Sequence, residues 1–212
     1  MSTEAQPANR FERRRAKTRE ALIGAARQIL AESGDTTASI QTIAERADVG
    51  FGTFYNHFQS KTDLFNAAVS DVLDEYAQAI DAYLTGVDDP AERVAAGIRL
   101  SLRMVESHPE VMKILQRRGL EHIYSGRGLA PRALEDVRHG IDSGRFTATD
   151  PVIALTAMGG SLLALVNMQM SHLAVQPDGD EAAATMAELM LRMLGLASED
   201  ARRIARAPLP IA

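Results

Sequence analysis

Apolar residues recur at helical spacing along almost the whole chain, and no stretch alternates as a strand would. The first periodic segment runs from about Thr18 to Ser33, with Leu22, Ile23, Ala26 and Leu30 on one stripe and Gly34 placed to stop it. Ahead of it lie a polar stretch over residues 1–9, expected to be disordered, and the arm FERRRAK. Ser39 stands where an N-cap is needed, and Ile40, Ile43, Ala44 and Ala47 follow at i, i+3, i+4 and i+7. Asp48, Val49 and Gly50 form a turn in which Asp48 tolerates left-handed backbone. A second short helix starts near Gly50 or Phe51; its i, i+4 pair Phe54 and Phe58 faces inward, leaving Thr53, Tyr55, Asn56 and His57 outside.

Ser60 caps a helix from Lys61 to about Leu84, and GVDDP breaks the pattern. Pro90 opens a helix to about Ser107, Pro109 a short one, and Pro131 another to about Ser143. Asp150-Pro151 starts a long helix to about Val175, and the last long helix spans about Asp180 to Leu194. The tail is expected to be loosely held after a further turn or two. The pattern predicts an all-α chain: a three-helix domain over residues 10–60 and a larger helical domain over 61–212.

Two short helices joined by a tight turn, then an aromatic and basic run, are the sequence form of a helix-turn-helix, which puts one helix into the DNA major groove. The run GFGTFYNHFQSKTDLF resembles the signature of the TetR family of transcriptional regulators, and ALIGAARQILAESGDTTASIQTIAERADV resembles that family's first two helices. The likeness covers residues 17–68. It implies DNA contact by Thr53, Tyr55, His57 and Lys61, whose hydroxyl, phenol, imidazole and ammonium can all bond phosphate oxygens. Gln41 can read a purine edge, while Thr42, Gly52 and Asn56 complete the candidate face. Arg14 and Lys17 lie along the backbone or reach the minor groove, or else form a solubilising tail. Two positions depart from the family pattern. Gly50 replaces a frequent Ser or Thr cap. Phe51 occupies a commonly polar position and either touches a thymine methyl or turns into the core.

The net charge of −5 argues against DNA binding until its distribution is seen. Arg10 to Arg27 holds seven Lys/Arg and two Glu, whereas Lys61 onward holds 15 Lys/Arg and 21 Asp/Glu. The basic excess sits at the end that meets phosphate. With no Cys, disulfides, thiolate metal sites and thiol switches are excluded. No apolar run is expected to reach the ~18 residues of a membrane span, and no signal-type stretch opens the chain, so a cytoplasmic protein is expected.

One helix-turn-helix reads few base pairs, so a homodimer on a palindromic operator is expected, with half-sites about 34–36 Å apart or a multiple of that spacing. The segment PVIALTAMGGSLLALVNMQM is apolar nearly all round and should be buried on more than one side. Met158, Leu162, Leu165 and Met168 from it, with Met186, Leu189, Met190 and Met193 from the last long helix, form the expected dimer surface; in the resembling family these two helices make a four-helix bundle with their mates. The middle helices would hold a small, mostly apolar effector near Met104, His108, Met112, Leu115, Arg118, His122, Tyr124 and Asn167. The histidines show no metal-ligand spacing, and neither metal nor cofactor is expected. An enzyme is disfavoured: there is no Cys nucleophile, GxSxG, P-loop, HExxH or Glu-x-x-His pair. The remaining alternative is a DNA-binding architectural or partner-controlled protein without an effector.

Overall fold

The computed structural model describes residues 10–33, 36–107, 126, 128–171 and 178–209, and these form helices and turns with no strand among them. The helices are α1 (Arg10–Ser33), α2 (Ile40–Arg46), α3 (Phe51–Phe54), α4 (Lys61–Tyr83), α5 (Pro90–Ser107), α6 (Leu129–Asp142), α7 (Pro151–Met170), α8 (Gly179–Met193) and α9 (Ser198–Ala205). Two compact units divide the chain, one through Ser70 and one from Asp71, so the boundary falls inside α4.

In the first unit α2 packs on α1 and α3 on α2. Leu22, Ala26, Ile43, Phe54 and Leu64 are sealed from solvent at its centre. Ser39 caps α2 by accepting from the Thr42 backbone N–H. Asp48 turns the chain at φ 52°, the one positive-φ non-glycine residue among the described residues. Gly50 precedes α3 with no side-chain cap. Ser60 accepts from the Asp63 N–H, while the Asp63 carboxylate accepts from the Gln59 N–H, a reciprocal start for α4. The basic run expected as an arm is helical instead: α1 starts at Arg10 and carries FERRRAK as exposed turns. Arg, Glu, Ala and Lys are strong helix formers, so the helix continues without an apolar stripe.

In the second unit α5 is the hub, packed against α6, α7, α8 and α9. Ile80 of α4 and Leu84 just after it meet Ala96 and Leu100 of α5 in its core, with Tyr76, Val87, Leu129 and Leu209 around them. Gly140 has no room for a side chain: a Cβ there would lie 2.1 Å from the Phe146 ring, whose residue donates its N–H to the Gly140 carbonyl at 2.8 Å. The further turn or two expected before the tail is the helix α9. Its Ala201, Ile204 and Ala205, at i, i+3 and i+4, are buried, Arg206 pairs with Glu188 and Glu181 of α8, and Arg145 bridges Asp89 and Asp200.

Two expectations about α7 need correction. It runs 20 residues without a charge and is, by length and composition, the one described helix apolar enough to cross a membrane, yet only 28% of its most apolar window is buried. Much of its apolar surface is therefore left open by its own chain, Ile153 (66% exposed) and Val152 most of all. The expected dimer residues also split into two sets. Met158, Leu165 and Met190 are buried within their own chain and cannot face a mate. Leu189 and Met193 are exposed, and Leu162, Met168 and Met186 are half-buried. A helix apolar on all sides carries no periodic signal to separate inside from outside.

Candidate functional site

The first candidate site is the exposed face of α2, α3 and the turns beside them. Gln41, Thr42, Gly52, Tyr55 and Asn56 are exposed, as are Arg14 and Lys17 on α1; Thr53 and His57 are half-buried. Gln41 donates from Nε2 to Glu45 at 3.0 Å, which fixes its amide along the helix edge. The Thr42 hydroxyl lies 2.8 Å from that of the Ser39 cap. Phe51 does not turn into the core: it is 54% exposed, because Phe54 and Phe58 fill the inward positions. Its ring meets the Tyr55 ring edge-on at 5.9 Å, and Tyr55 meets Phe54 edge-on at 5.4 Å.

Two of the expected phosphate contacts have prior commitments. The Lys61 ammonium donates to the carbonyls of Thr37 at 3.1 Å and Ala38 at 3.0 Å, so two of its three protons hold the segment before α2. Burial holds the His57 imidazole below its usual value, and the charges of Arg15 and Arg19 push it further down. Without DNA the neutral imidazole is thereby favoured, and a phosphate brought there would oppose that depression. Arg19 also stacks over the Phe58 ring at 5.1 Å, placing its charge next to the recognition helix.

The second candidate site is a cavity of about 200 Å³ within the second unit, walled by α4 to α8. Leu73, Ile98, Leu155, Met158, Val166 and Met190 give it apolar walls, with Gly97 and Gly159 leaving space. One part is polar. Arg132 pairs with Asp81 and donates to the Gly128 carbonyl at 3.0 Å. Arg93 donates to Asp136 at 2.6 Å and to the Leu84 carbonyl at 3.2 Å. Burial pushes the Asp136 carboxyl above the usual carboxylate range; the hydrogen bond and charge of Arg93 pull it down, but Asp81 and Glu135 add to the rise. The site thus holds two cations matched by two anions.

None of these four residues was singled out by the sequence. The readable signal is the i, i+4 pair Arg132 and Asp136 on α6, and the row Arg93, Gly97 and Ser101 on α5, each a polar row on a helix that is otherwise half apolar. Of the expected effector contacts, His108, Met112, Leu115, Arg118, His122, Tyr124 and the side chain of Met104 lie outside the described residues. Asn167 is exposed and is not part of the cavity wall. Among the described residues no cluster of three or more metal-ligating side chains occurs.

Comparison with known proteins matches both units. Residues 22–68 fit the model of bacterial regulatory proteins of the tetR family, and residues 89–207 fit that of the tetracyclin repressor-like C-terminal domain. The crystal structure of RolR in complex with resorcinol is similar at 34% identity and a TM-score of 0.73, covering 94% of this chain and 98% of RolR. The transcriptional regulator HbdR of Aromatoleum sp. (strain CIB) is 29% identical over 99 residues, 47% of this chain and 43% of HbdR. BetI of Stenotrophomonas maltophilia (strain R551-3) is 35% identical over 79 residues, 37% of this chain and 40% of BetI, so the match spans less than half of either curated relative. FadR from Bacillus subtilis, solved with stearoyl-CoA, shares the fold at 20% identity and a TM-score of 0.61. With a helix-turn-helix face in one unit, a walled cavity in the other, and both family models matched across them, the chain belongs to the TetR family of transcriptional regulators.

Proposed function

We propose that the protein is a ligand-responsive repressor that binds a palindromic operator as a homodimer and leaves it when a small, mostly apolar effector occupies the cavity of the second unit. The observation that carries this reading is that cavity: apolar walls with two ion pairs, in the same chain as a helix-turn-helix. An empty apolar cavity of ~150 Å³ is enough to hold benzene, so about 200 Å³ suits one ring with substituents. The charge-matched polar part favours neutral hydroxyls, which donate to a carboxylate and accept from a guanidinium, over a carboxylate that would leave the cavity with unbalanced charge. RolR, crystallised with resorcinol, is a precedent for a hydroxylated ring. The apolar face left open on α7, with Leu189 and Met193 on α8, supports pairing of two chains. The effector acts by binding better to a state that does not hold DNA, and shifts the population by that difference alone.

The test is in two steps. Purified protein is mixed with sheared genomic DNA from its source, and bound fragments are sequenced; an enriched inverted repeat is expected. Phenols, benzenediols and benzoates are then titrated into the complex with a labelled operator. Release by the neutral hydroxylated rings is expected. Recovery of DNA with no shared sequence sinks the operator reading, and retention of the operator under every compound sinks the effector reading.

A further inference from the structure

We propose that Phe51 is a base-reading residue, and that it recognises the 5-methyl group of a thymine in each operator half-site. The proposal rests on the operator-binding reading but not on the effector. Phe51 is one of few large apolar side chains left exposed in the first unit, and it sits at the first position of α3, the recognition helix of the motif. It has no inward alternative, since Phe54 and Phe58 fill the core beneath it. Its edge-on contact with Tyr55, itself edge-on against buried Phe54, gives the ring a fixed direction and a backing.

The neighbours narrow what the ring can read. Gly50 and Gly52 flank it, and a Cβ added to Gly52 would meet nothing within 4 Å, so neither chain neighbour covers the ring with a side chain and the Gly52 side is open. Residues 50 to 52 carry no side-chain hydrogen-bonding group, so this point of the helix cannot read the donor and acceptor pattern of a base edge. The one apolar feature in the major groove is the thymine methyl. Charge supports DNA as the occupant: Arg15 and Arg19 lie close enough to His57 to depress its protonation, so cations stand beside this helix. An uncharged ring on this face adds discrimination without adding attraction.

The test starts with selection of bound duplexes from a random library by the wild-type protein and by Phe51→Ala. The expected result is loss of preference at one thymine position per half-site, with the rest of the operator unchanged. At that position thymine is then replaced by deoxyuridine, which removes the methyl and keeps every hydrogen-bonding group. Wild-type affinity is expected to fall about four-fold, the equivalent of the ~0.8 kcal/mol for one buried methylene-sized group, while Phe51→Ala is expected to be indifferent. Because the uridine substitution is made in the DNA, every thymine of the half-site can be scanned with wild-type protein even if the variant fails to fold. Equal wild-type affinity for thymine and uridine at every position overturns the proposal while leaving the operator reading intact. A library with no enriched sequence overturns both.

Discussion

Replacing Asp136 by Asn should cost the protein far less than replacing its partner Arg93 by Met, although both changes break the same ion pair. Arg93→Met removes the 2.6 Å bond to Asp136 and the 3.2 Å bond to the Leu84 carbonyl, and leaves a carboxylate whose side chain is only 18% exposed without its cation. A hydrogen bond to a charged group is worth ~1.5–3 kcal/mol; with the Arg93 side chain 25% exposed, a loss of about 2 kcal/mol is expected. At roughly 2–4 °C per kcal/mol for a chain of this size, the melting temperature should fall by about 4–8 °C. Asp136→Asn keeps an oxygen acceptor for the Arg93 Nε–H. It also removes a charge that burial disfavours, because the folded-state carboxyl lies above the usual range. A raised carboxyl holds its proton more tightly in the folded than in the unfolded state. Stability is therefore lost as pH rises through that window, and the cost is fully present at neutral pH. The neutral Asn escapes it and still accepts from Arg93, whose 25% exposed guanidinium keeps part of its hydration and its bond to the Leu84 carbonyl, so the loss should stay within ~1 kcal/mol of wild type. Thermal and urea melts at pH 7 measure both variants, and repeating them toward the carboxylate range should move the comparison in favour of wild type. An Asn variant that loses as much as the Met variant would refute the reasoning. It would mean that Asp136 is held by its charge and not in spite of it.

Three further outcomes can be checked with standard measurements. Gly140→Ala forces a Cβ to 2.1 Å from the Phe146 ring and should destabilise by about 1–3 kcal/mol, read by urea denaturation, with Phe146→Leu in the same chain recovering part of the loss. Lys61→Met frees the Thr37 and Ala38 carbonyls; it should lower the melting temperature as well as the affinity for all DNA sequences, whereas a pure phosphate contact would lower affinity alone. Leu189→Glu should abolish the proposed pairing of chains in sedimentation while leaving the fold intact by circular dichroism, because Leu189 is 52% exposed. Met190→Ala, three per cent exposed one position on, should instead lower stability by about 2–5 kcal/mol.

The parts legible in the sequence are those fixed by local chemistry. The Ser39 cap, the left-handed Asp48, the uncapped Gly50 and the inward Phe54 and Phe58 each follow from a side chain and its near neighbours. What escaped depends on residues distant in sequence. Lys61 looks like any basic residue after a recognition helix until Thr37 and Ala38, more than 20 positions earlier, are placed beside it. The cavity takes its polar part from Asp81, Arg93, Arg132 and Asp136 on three helices, and nothing in any one segment announces that meeting. Met158 and Met190 read as interface residues because α7 is apolar nearly all round and α8 carries apolar residues to match it, and that pattern does not say which way a side chain turns. The helix α9 was legible in principle: Ala201, Ile204 and Ala205 carry the spacing, but only two turns of it.

The uncharged surface of α7 gives the two units different responses to solution conditions. A helix of 20 residues with no ionisable group has nothing to titrate or to screen, so whatever packs on it is held mainly by the hydrophobic effect. Such contacts tighten in excluded salts and loosen on cooling. The phosphate contacts proposed for the first unit obey the opposite rule and should weaken steeply as salt displaces condensed counterions. Raising ionic strength should thus strip the protein from DNA while leaving chains joined, and chilling should separate chains while sparing the charge contacts.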